Sequence, residues 1–136
     1  MEPTENKSNL RPKHHNMKKW SDQIKGEDSW TMFKVVSEFV QGFETLNLVG
    51  PCVSIFGSAR TKPDHPYYKL AVQIAQHLTE EGYGVITGGG PGIMEAGNKG
   101  AHLNGGKSVG LNIHLPFEQG SNPYVDHDKD INFKYF

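Results

Sequence analysis

Apolar and polar positions along the chain follow two different periods, and their order predicts an α/β fold. Short apolar runs predict buried strands. These runs lie at 51–57, 83–87, 108–115 and 131–136. Between the first three runs, apolar residues recur at helical spacing, which predicts helices over about 64–82 and 92–103. Strands that alternate with helices through short connections form parallel sheets with right-handed crossovers. We therefore expect a Rossmann-like parallel sheet with flanking helices.

Two helices have apolar faces that can be read from the sequence. The face of the helix at 64–82 consists of Tyr67, Leu70, Ala71, Ile74 and Leu78. A further helix precedes the first strand, and Asp28 or Ser29 can cap its start. Its apolar face consists of Trp30, Phe33, Val36, Val40 and Phe43. We expect this helix to pack on the outside of the sheet or against a partner subunit.

Residues 1–26 are predicted to form a disordered arm. They are polar, lysine-rich and poor in aliphatic residues, so they cannot bury enough surface to offset the entropy of ordering. The alternative is a basic arm that contacts an anionic partner. That alternative is weaker because Glu2, Glu5 and Asp22 dilute the positive charge.

Composition restricts the partners and the compartment. The chain has 136 residues, enough for one domain, and a formal net charge of −1, so no overall field draws it to nucleic acid or to a membrane. No apolar run approaches the roughly 20 residues of a membrane span, and the first residues lack the apolar core of a signal peptide. The single cysteine, Cys52, excludes an internal disulfide and suits a reducing compartment. We expect a cytoplasmic protein.

The stretch VITGGGPGIMEAGNKGA (85–101) joins the second strand to a helix through a run of glycines. Gly88, Gly89 and Gly90 can adopt positive φ and turn backbone N–H groups toward a ligand above the strand ends. The N-terminus of the following helix adds partial positive charge, which favours a phosphate or a sugar hydroxyl. Gly97 and Gly100 would let that helix lie unusually close to the sheet. The alternative is a tight turn without a ligand.

A second glycine junction, FGSAR (56–60), follows the first strand. The carboxyl ends of adjacent parallel strands share one edge of a sheet, so this junction is expected beside the glycines at 88–90. Gly57 permits close approach of the backbone, Ser58 offers a hydroxyl, and Arg60 can reach a phosphate or a carboxylate. Structural alternatives exist, since Ser58 can cap a helix and Arg60 can be a solvated surface residue.

Other short motifs do not have the spacing that their chemistry requires. A dinucleotide-binding G-x-G-x-x-G that starts at Gly88 would need glycine where Ile93 stands, and a P-loop that ends in NGGKS would need glycine at Ala101. The acidic run DHDKD (126–130) lacks the glycine of a calcium loop, because Ile131 occupies that position. The histidines show no metal-ligand spacing. We predict no metal site.

Five sequence blocks together resemble the LOG family, whose members are often labelled lysine decarboxylase-like. The blocks are IFGSAR, HPYY, GYGVITGGGPGIMEAGNKGA, SVGLNI and LPFEQGSNPYVD, and the similarity runs from about Pro51 to Phe136. The resemblance implies a phosphoribohydrolase, which cleaves the N-glycosidic bond of nucleoside 5′-monophosphates such as AMP to free base and ribose 5-phosphate. It implies a homodimer or a larger homo-oligomer. It requires no cofactor, neither a metal nor a redox group.

The resemblance also implies which residues bind the substrate. In the first loop these residues are Gly57, Ser58 and Ala59, and Arg60 comes next in the chain. From the second loop they are Gly88, Gly89, Gly90, Gly92 and Met94. Glu95 opens the helix after that loop, where a carboxylate is favourable with or without a ligand. The later blocks contribute Asn112, Glu118 and Asn122, which are expected at the mouth of the pocket.

One family signature, Pro-Gly-Gly-x-Gly-Thr-x-x-Glu, does not occur in the 136 residues. We expect it beyond Phe136, together with the family's catalytic arginine and glutamate. Residues 27–136 would then be the N-terminal part of one nucleotide-binding domain, truncated after its fourth strand, and the catalytic residues stay unassigned. Two alternatives are a protein of the same fold that binds a nucleotide or nucleotide cofactor without cleaving it, and an inactive fragment that self-associates.

Overall fold

The computed structural model describes residues 15–115, 117 and 120–135, with side chains described from Gly26 onward. The chain divides into two compact units, Met1–Phe33 and Lys34–Phe136. The described part of the first unit is the beginning of helix α1 (His15–Asn47), and the second unit contains its end and all other elements. Those elements are β1 (Cys52–Ser54), α2 (Pro66–Glu80), β2 (Gly84–Thr87), α3 (Ile93–Leu103), β3 (Ser108–Ile113), a 3-10 helix (His127–Lys129) and β4 (Asp130–Phe133).

The four strands form one parallel sheet in the order β1-β2-β3-β4. Val53 of β1 pairs with Val85 of β2 in this register. Because all strands run in the same direction, their carboxyl ends lie at one edge. The predicted Rossmann-like α/β fold is therefore confirmed. β1 ends at Ser54, three residues before its predicted end, although the amide of Ile55 still donates to the carbonyl oxygen of Ile86 (2.9 Å).

Small side chains form most of the core between the sheet and the helices α2 and α3. One buried cluster contains Tyr68, Ala71 and Ala96, and a second contains Ala75, Val85 and Ala101. Alanine at these contact positions lets the two helices approach each other closely. The predicted apolar face of α2 is only partly correct. Ala71 is buried and Leu78 packs against the second cluster. Tyr67, Leu70 and Ile74 are exposed, and Tyr68 is buried instead.

The two interior glycines of α3 allow close packing against different neighbours. A Cβ on Gly97 would lie 3.2 Å from Cδ1 of Ile55 at the end of β1, which confirms the predicted close approach to the sheet. A Cβ on Gly100 would lie 2.3 Å from the carbonyl oxygen of Val72. Gly100 is therefore required by the packing of α3 on α2, not by the sheet.

The predicted start of α1 at Asp28 or Ser29 is wrong, because the helix begins at His15. Lysine, methionine and glutamine before Gly26 have good helix propensity, and one interior glycine costs only about 1 kcal/mol. From His15 onward the chain is therefore helical where a disordered arm was predicted. The prediction of disorder for residues 1–14 lies outside the described residues. Among the helices that the structure describes, none is long and apolar enough to cross a membrane.

Within the second unit, α1 packs against the β4 edge of the sheet. The ring centroids of Phe39 and Phe133 lie 6.5 Å apart, and a Cβ on Gly42 would lie 3.2 Å from Cζ of Phe133. The Glu38 carboxylate accepts hydrogen bonds from the two backbone amides that follow β4, at 2.7 and 3.0 Å. The three residues of the predicted apolar face that belong to this unit are nevertheless more than half exposed, namely Val36, Val40 and Phe43.

Candidate functional site

The loops after β1 and β2 touch at the carboxyl edge of the sheet. The amide of Ile93 donates to the carbonyl oxygen of Ser58 (3.0 Å). A Cβ on Gly92 would lie 2.1 Å from that same oxygen, and a Cβ on Gly57 would lie 2.4 Å from Cγ2 of Ile93. Backbone of the first loop, including Ala59, thus occupies the space that a side chain at position 92 would need. The two glycine junctions are therefore adjacent, as predicted, but the contacts involve Gly92 and Ile93 and not Gly88–Gly90.

The glycines of the second loop are needed for different reasons, either a positive φ or a lack of space for a Cβ atom. Gly89 and Gly92 adopt positive φ, at 74° and 73°. Gly88 and Gly90 do not, but a Cβ on either would lie within 3.0 Å of the Met94 side chain. Met94 therefore limits the space over both glycines, and among residues 88–92 only Pro91 carries a Cβ atom.

Several amides of the two loops are already paired within the protein. Gly89 N donates to Thr87 Oγ1 (2.9 Å), and Arg60 N donates to Ser58 Oγ (3.1 Å). In contrast, the hydrogen bonds of the described chain include none donated by four other loop amides, which belong to Gly57, Ser58, Gly88 and Gly90. The amides of Met94 and Glu95 in the first turn of α3 add two donors that have no partner within their helix, whereas the Ile93 amide is already paired with Ser58. The junction therefore offers a cluster of backbone donors.

Buried amide side chains support the second loop from below. Asn122 donates through Nδ2 to the carbonyl oxygen of Gly90 and to Oδ1 of Asn98, both at 3.0 Å. Its backbone amide donates to the carbonyl oxygen of Gly89 (2.8 Å). Asn98 also accepts a hydrogen bond from the Thr87 hydroxyl. Because these side chains are buried and paired, they fix the position of the loop.

Asn112 also lies under the second loop. A Cβ on Gly89 would lie 2.2 Å from Oδ1 of Asn112. Nδ2 of Asn112 donates to Ser121 Oγ and to Asp130 Oδ1, both at 2.6 Å. The side chain is buried and contacts the loop from the protein side. Substrate binding by Asn112 stays a prediction, and the predicted Glu118 lies outside the described residues.

Two open grooves flank the contact between the loops, and they differ in charge. The first has a volume of about 600 Å³ and is lined by Ser58, Arg60, Thr61, Lys62, Asp64, His65 and Pro66. The second has a volume of about 410 Å³ and is lined by Gly90, Pro91, Glu95, Phe117, Gly120, Ser121 and Asn122. Among the described lining residues, the first groove has two permanent cations and one carboxylate, whereas the second has one carboxylate and no cation.

Glu95, whose carboxylate lines the second groove, is hydrogen-bonded to a buried tyrosine of α2. Oη of Tyr68 donates to Oε1 of Glu95 at 2.7 Å. Burial, and then the hydrogen bond to the Glu95 carboxylate, raise the pKa of the Tyr68 phenol well above its ordinary value. Tyr68 therefore stays protonated and acts as a donor at physiological pH. Across the part of the chain that the structure describes, no group of three or more potential ligand side chains could hold a metal ion.

Sequence reasoning missed Tyr68, Thr87 and Asn98. A usable signal existed for Asn98, because a polar residue stands there between Gly97 and Ala101 on the face of α3 that small residues mark as buried. Such a residue needs hydrogen-bond partners. Tyr68 carried no comparable signal, since the sequence alone does not distinguish it from its exposed neighbour.

The chain belongs to the SLOG cluster4 family, whose model matches residues 51–131. SLOG denotes the SMF/DprA-LOG superfamily, so the resemblance to the LOG family is confirmed. The match includes both glycine loops and the elements that support them.

Among solved structures, the X-ray structure of TM1055, a structural genomics target, is similar to this chain. The sequence identity is 28%, the TM-score is 0.46, and the alignment covers 60% of this chain and 45% of that one. The chain thus spans less than half the length of that protein. Comparison with curated proteins gives no significant match.

Proposed function

We propose that the intact protein binds nucleoside 5′-monophosphates and hydrolyses their N-glycosidic bond, with free base and ribose 5-phosphate as products. The observation that carries this proposal is the contact between the two glycine loops, which gathers free backbone amides at the carboxyl edge of β1 and β2. In open α/β sheets, ligands bind at this edge. Membership of the SLOG cluster4 family supports a nucleotide as the ligand.

The phosphate is the part of the ligand that the first loop suits best. Backbone amides and a helix N-terminus attract an anion without a side-chain charge. Arg60 and Lys62 line the adjacent groove and add two positive charges. Phosphate contacts of this kind supply binding energy away from the reacting bond and thereby orient the sugar.

The chemistry of the proposed reaction follows from the bond that breaks. Departure of the base builds positive charge at C1′ of the sugar and negative charge on the base. Water supplies the hydroxyl group that bonds to C1′ and the proton that the base takes up. A carboxylate near C1′ stabilises the developing cation and orients the water. We assign no catalytic residue among residues 1–136, and the proposal includes neither a metal nor a redox cofactor.

We further propose that the protein acts in the cytoplasm as a homodimer or a larger homo-oligomer. The exposed apolar residues Val36, Val40 and Phe43 of α1 support self-association. Sedimentation velocity would show a species of at least twice the monomer mass, and a monomer at all concentrations would contradict this part of the proposal.

The activity is tested by incubating the intact protein with AMP, GMP, CMP and UMP and measuring ribose 5-phosphate and free base. We expect release from at least one monophosphate and none from the corresponding nucleoside. No release from any of the four would contradict the hydrolase proposal.

Nucleotide binding without cleavage is the second candidate. It needs only the backbone amides that the two glycine loops bring together, and it needs no catalytic residue. A protein that binds AMP but releases no base in the same assay would support this candidate.

A further inference from the structure

We propose that Tyr68 is a positioning residue for Glu95. Its hydroxyl holds one carboxylate oxygen, so that the other oxygen accepts a hydrogen bond from a hydroxyl or amino group of the bound nucleotide. This inference rests on the proposed function, because it assigns a task to the same site.

The position of Tyr68 is set by the core. Its side chain is only 3% exposed and packs in the cluster that contains Ala71 of α2 and Ala96 of α3. A ring that is buried among close-packed neighbours has few alternative rotamers. Its hydroxyl is therefore a fixed donor, and the 2.7 Å distance to Oε1 of Glu95 is typical of a hydrogen bond to a carboxylate.

Only one of the two carboxylate oxygens of Glu95 has a hydrogen-bond partner among the described residues. It lies in the first turn of α3 and lines the second groove, next to Gly90 and Pro91. The hydrogen bonds and ion pairs of the described residues include none to its Oε2. Lys99, one turn further along the helix, lies instead over two aromatic rings, 5.8 Å from the centroid of Tyr68 and 5.6 Å from that of Tyr124.

The chemistry of a carboxylate determines which part of a nucleotide it can bind. An ionised carboxylate only accepts hydrogen bonds, and it repels a phosphate. A nucleoside monophosphate offers two kinds of neutral donor, the ribose hydroxyls and the amino group of bases such as adenine. The second groove therefore suits the sugar or the base, and the cationic first groove suits the phosphate.

Isothermal titration calorimetry of wild type, Tyr68→Phe, Glu95→Gln and the double variant tests this role. AMP, IMP, 2′-deoxy-AMP and 3′-deoxy-AMP serve as ligands, because IMP lacks the amino group and each deoxy analogue lacks one ribose hydroxyl. Tyr67→Phe is the matched control, since it removes an exposed phenol from the neighbouring position of α2. Thermal melts of each variant show whether the fold is intact.

We expect Glu95→Gln to weaken AMP binding about tenfold and Tyr68→Phe about three- to tenfold, as loss of a charge-assisted hydrogen bond does. The double variant should be no weaker than Glu95→Gln, because Tyr68 acts through Glu95. In wild type, whichever analogue lacks the recognised donor should bind more weakly than AMP. For that analogue, Tyr68→Phe should change nothing further.

The outcomes separate the two proposals. If wild type does not bind AMP, the proposed function fails and the role of Tyr68 fails with it. If wild type binds AMP and Tyr68→Phe leaves the affinity unchanged, only the positioning role is overturned. It is also overturned if Tyr68→Phe weakens binding equally in the Glu95→Gln background, or if all three analogues bind as tightly as AMP. If Tyr68→Phe does not fold, Glu95→Gln decides, because unchanged discrimination among the four ligands would then exclude the contact.

Discussion

The two loops of the candidate site are held in different ways. The loop after β2 lies on buried side chains, and Asn98 and Asn122 fix it from within the protein. The residues at 56–60 after β1 are exposed, and Ser58 provides their contact with the other loop. A buried polar network is costly to disturb, whereas exposed charges contribute little to stability. We therefore expect substitutions below the second loop to reduce stability, and substitutions of the exposed charged side chains beside the first loop to reduce binding alone.

Asn98→Ala should cause the largest loss of stability. The substitution removes four side-chain hydrogen bonds, made with Thr87, Ser108, Val109 and Asn122, and leaves buried groups unpaired. We expect the free energy of unfolding to fall by about 3 to 4 kcal/mol in urea denaturation. The control Asn104→Ala removes an exposed amide at the end of α3 and should cost less than about 1 kcal/mol. Equal losses would show that the network does not hold the loop.

Gly92→Ala should have the next largest effect, since it affects the contact between the loops. Gly92 combines φ of 73° with ψ of −130°, and a Cβ there would lie 2.1 Å from the Ser58 carbonyl oxygen. We expect a loss of about 2 to 3 kcal/mol. Gly105→Ala is the matched control, because Gly105 has φ of 72° but no atom within 4 Å of its Cβ position. It should cost about 1 kcal/mol. If the two variants were equally stable, the loops would not be in close contact.

The pH dependence of stability tests the raised pKa of Tyr68, which burial and then the hydrogen bond to Glu95 cause. A phenol ionises near pH 10 in the unfolded chain, and the pKa of Tyr68 is raised in the folded protein. Above about pH 10 the unfolded state has lost a proton that the folded state keeps. The stabilisation is complete below that pH and is lost as the pH rises toward the folded pKa, by at most about 1.4 kcal/mol per pH unit.

Urea denaturation between about pH 9 and pH 11 measures this slope. Tyr68→Phe should lose stability less steeply than wild type, and the exposed Tyr67→Phe should follow wild type. Parallel curves for wild type and Tyr68→Phe would contradict the raised pKa.

Arg60→Ala should have the smallest effect on stability and a clear effect on binding. Arg60 is exposed, and the ion pairs of the described residues do not include it. We expect a change in unfolding free energy within about 0.5 kcal/mol and AMP affinity lower by about five- to tenfold, with a weaker dependence on salt. Lys69→Ala, an exposed cation of α2, is the control and should leave affinity unchanged. Equal AMP affinity of Arg60→Ala and wild type would remove Arg60 from the site.

The fold and the adjacency of the loops could be predicted because both follow from local patterns. Strand runs separated by helical spacing specify a parallel sheet, and parallel strands bring their carboxyl ends to one edge. The buried face of α2 could not be predicted in the same way. Tyr67 and Tyr68 are adjacent and chemically identical, and the burial of Tyr68 depends on packing against α3 and on Glu95, 27 residues away.

The side chains that support the second loop also could not be predicted from local sequence patterns. Asn98 joins groups from β2, β3 and the segment at Asn122, and these become neighbours only in the folded chain. The glycine run therefore identified the place of the site, but not the side chains that hold it. The start of α1 was mispredicted for a related reason, since apolar periodicity marks a buried face and not the end of a helix.

The most direct test of the central claim is an NMR titration of backbone amides with AMP and, separately, with adenosine. If both loops bind one phosphorylated nucleoside, the amides of Gly57, Ser58, Gly88 and Gly90 should shift together with AMP at a single affinity. They should shift much less with adenosine at equal concentration, and the distant amides of Gly82 and Gly105 should not move. Shifts confined to one loop, or equal shifts with both ligands, would contradict a shared phosphate-binding site.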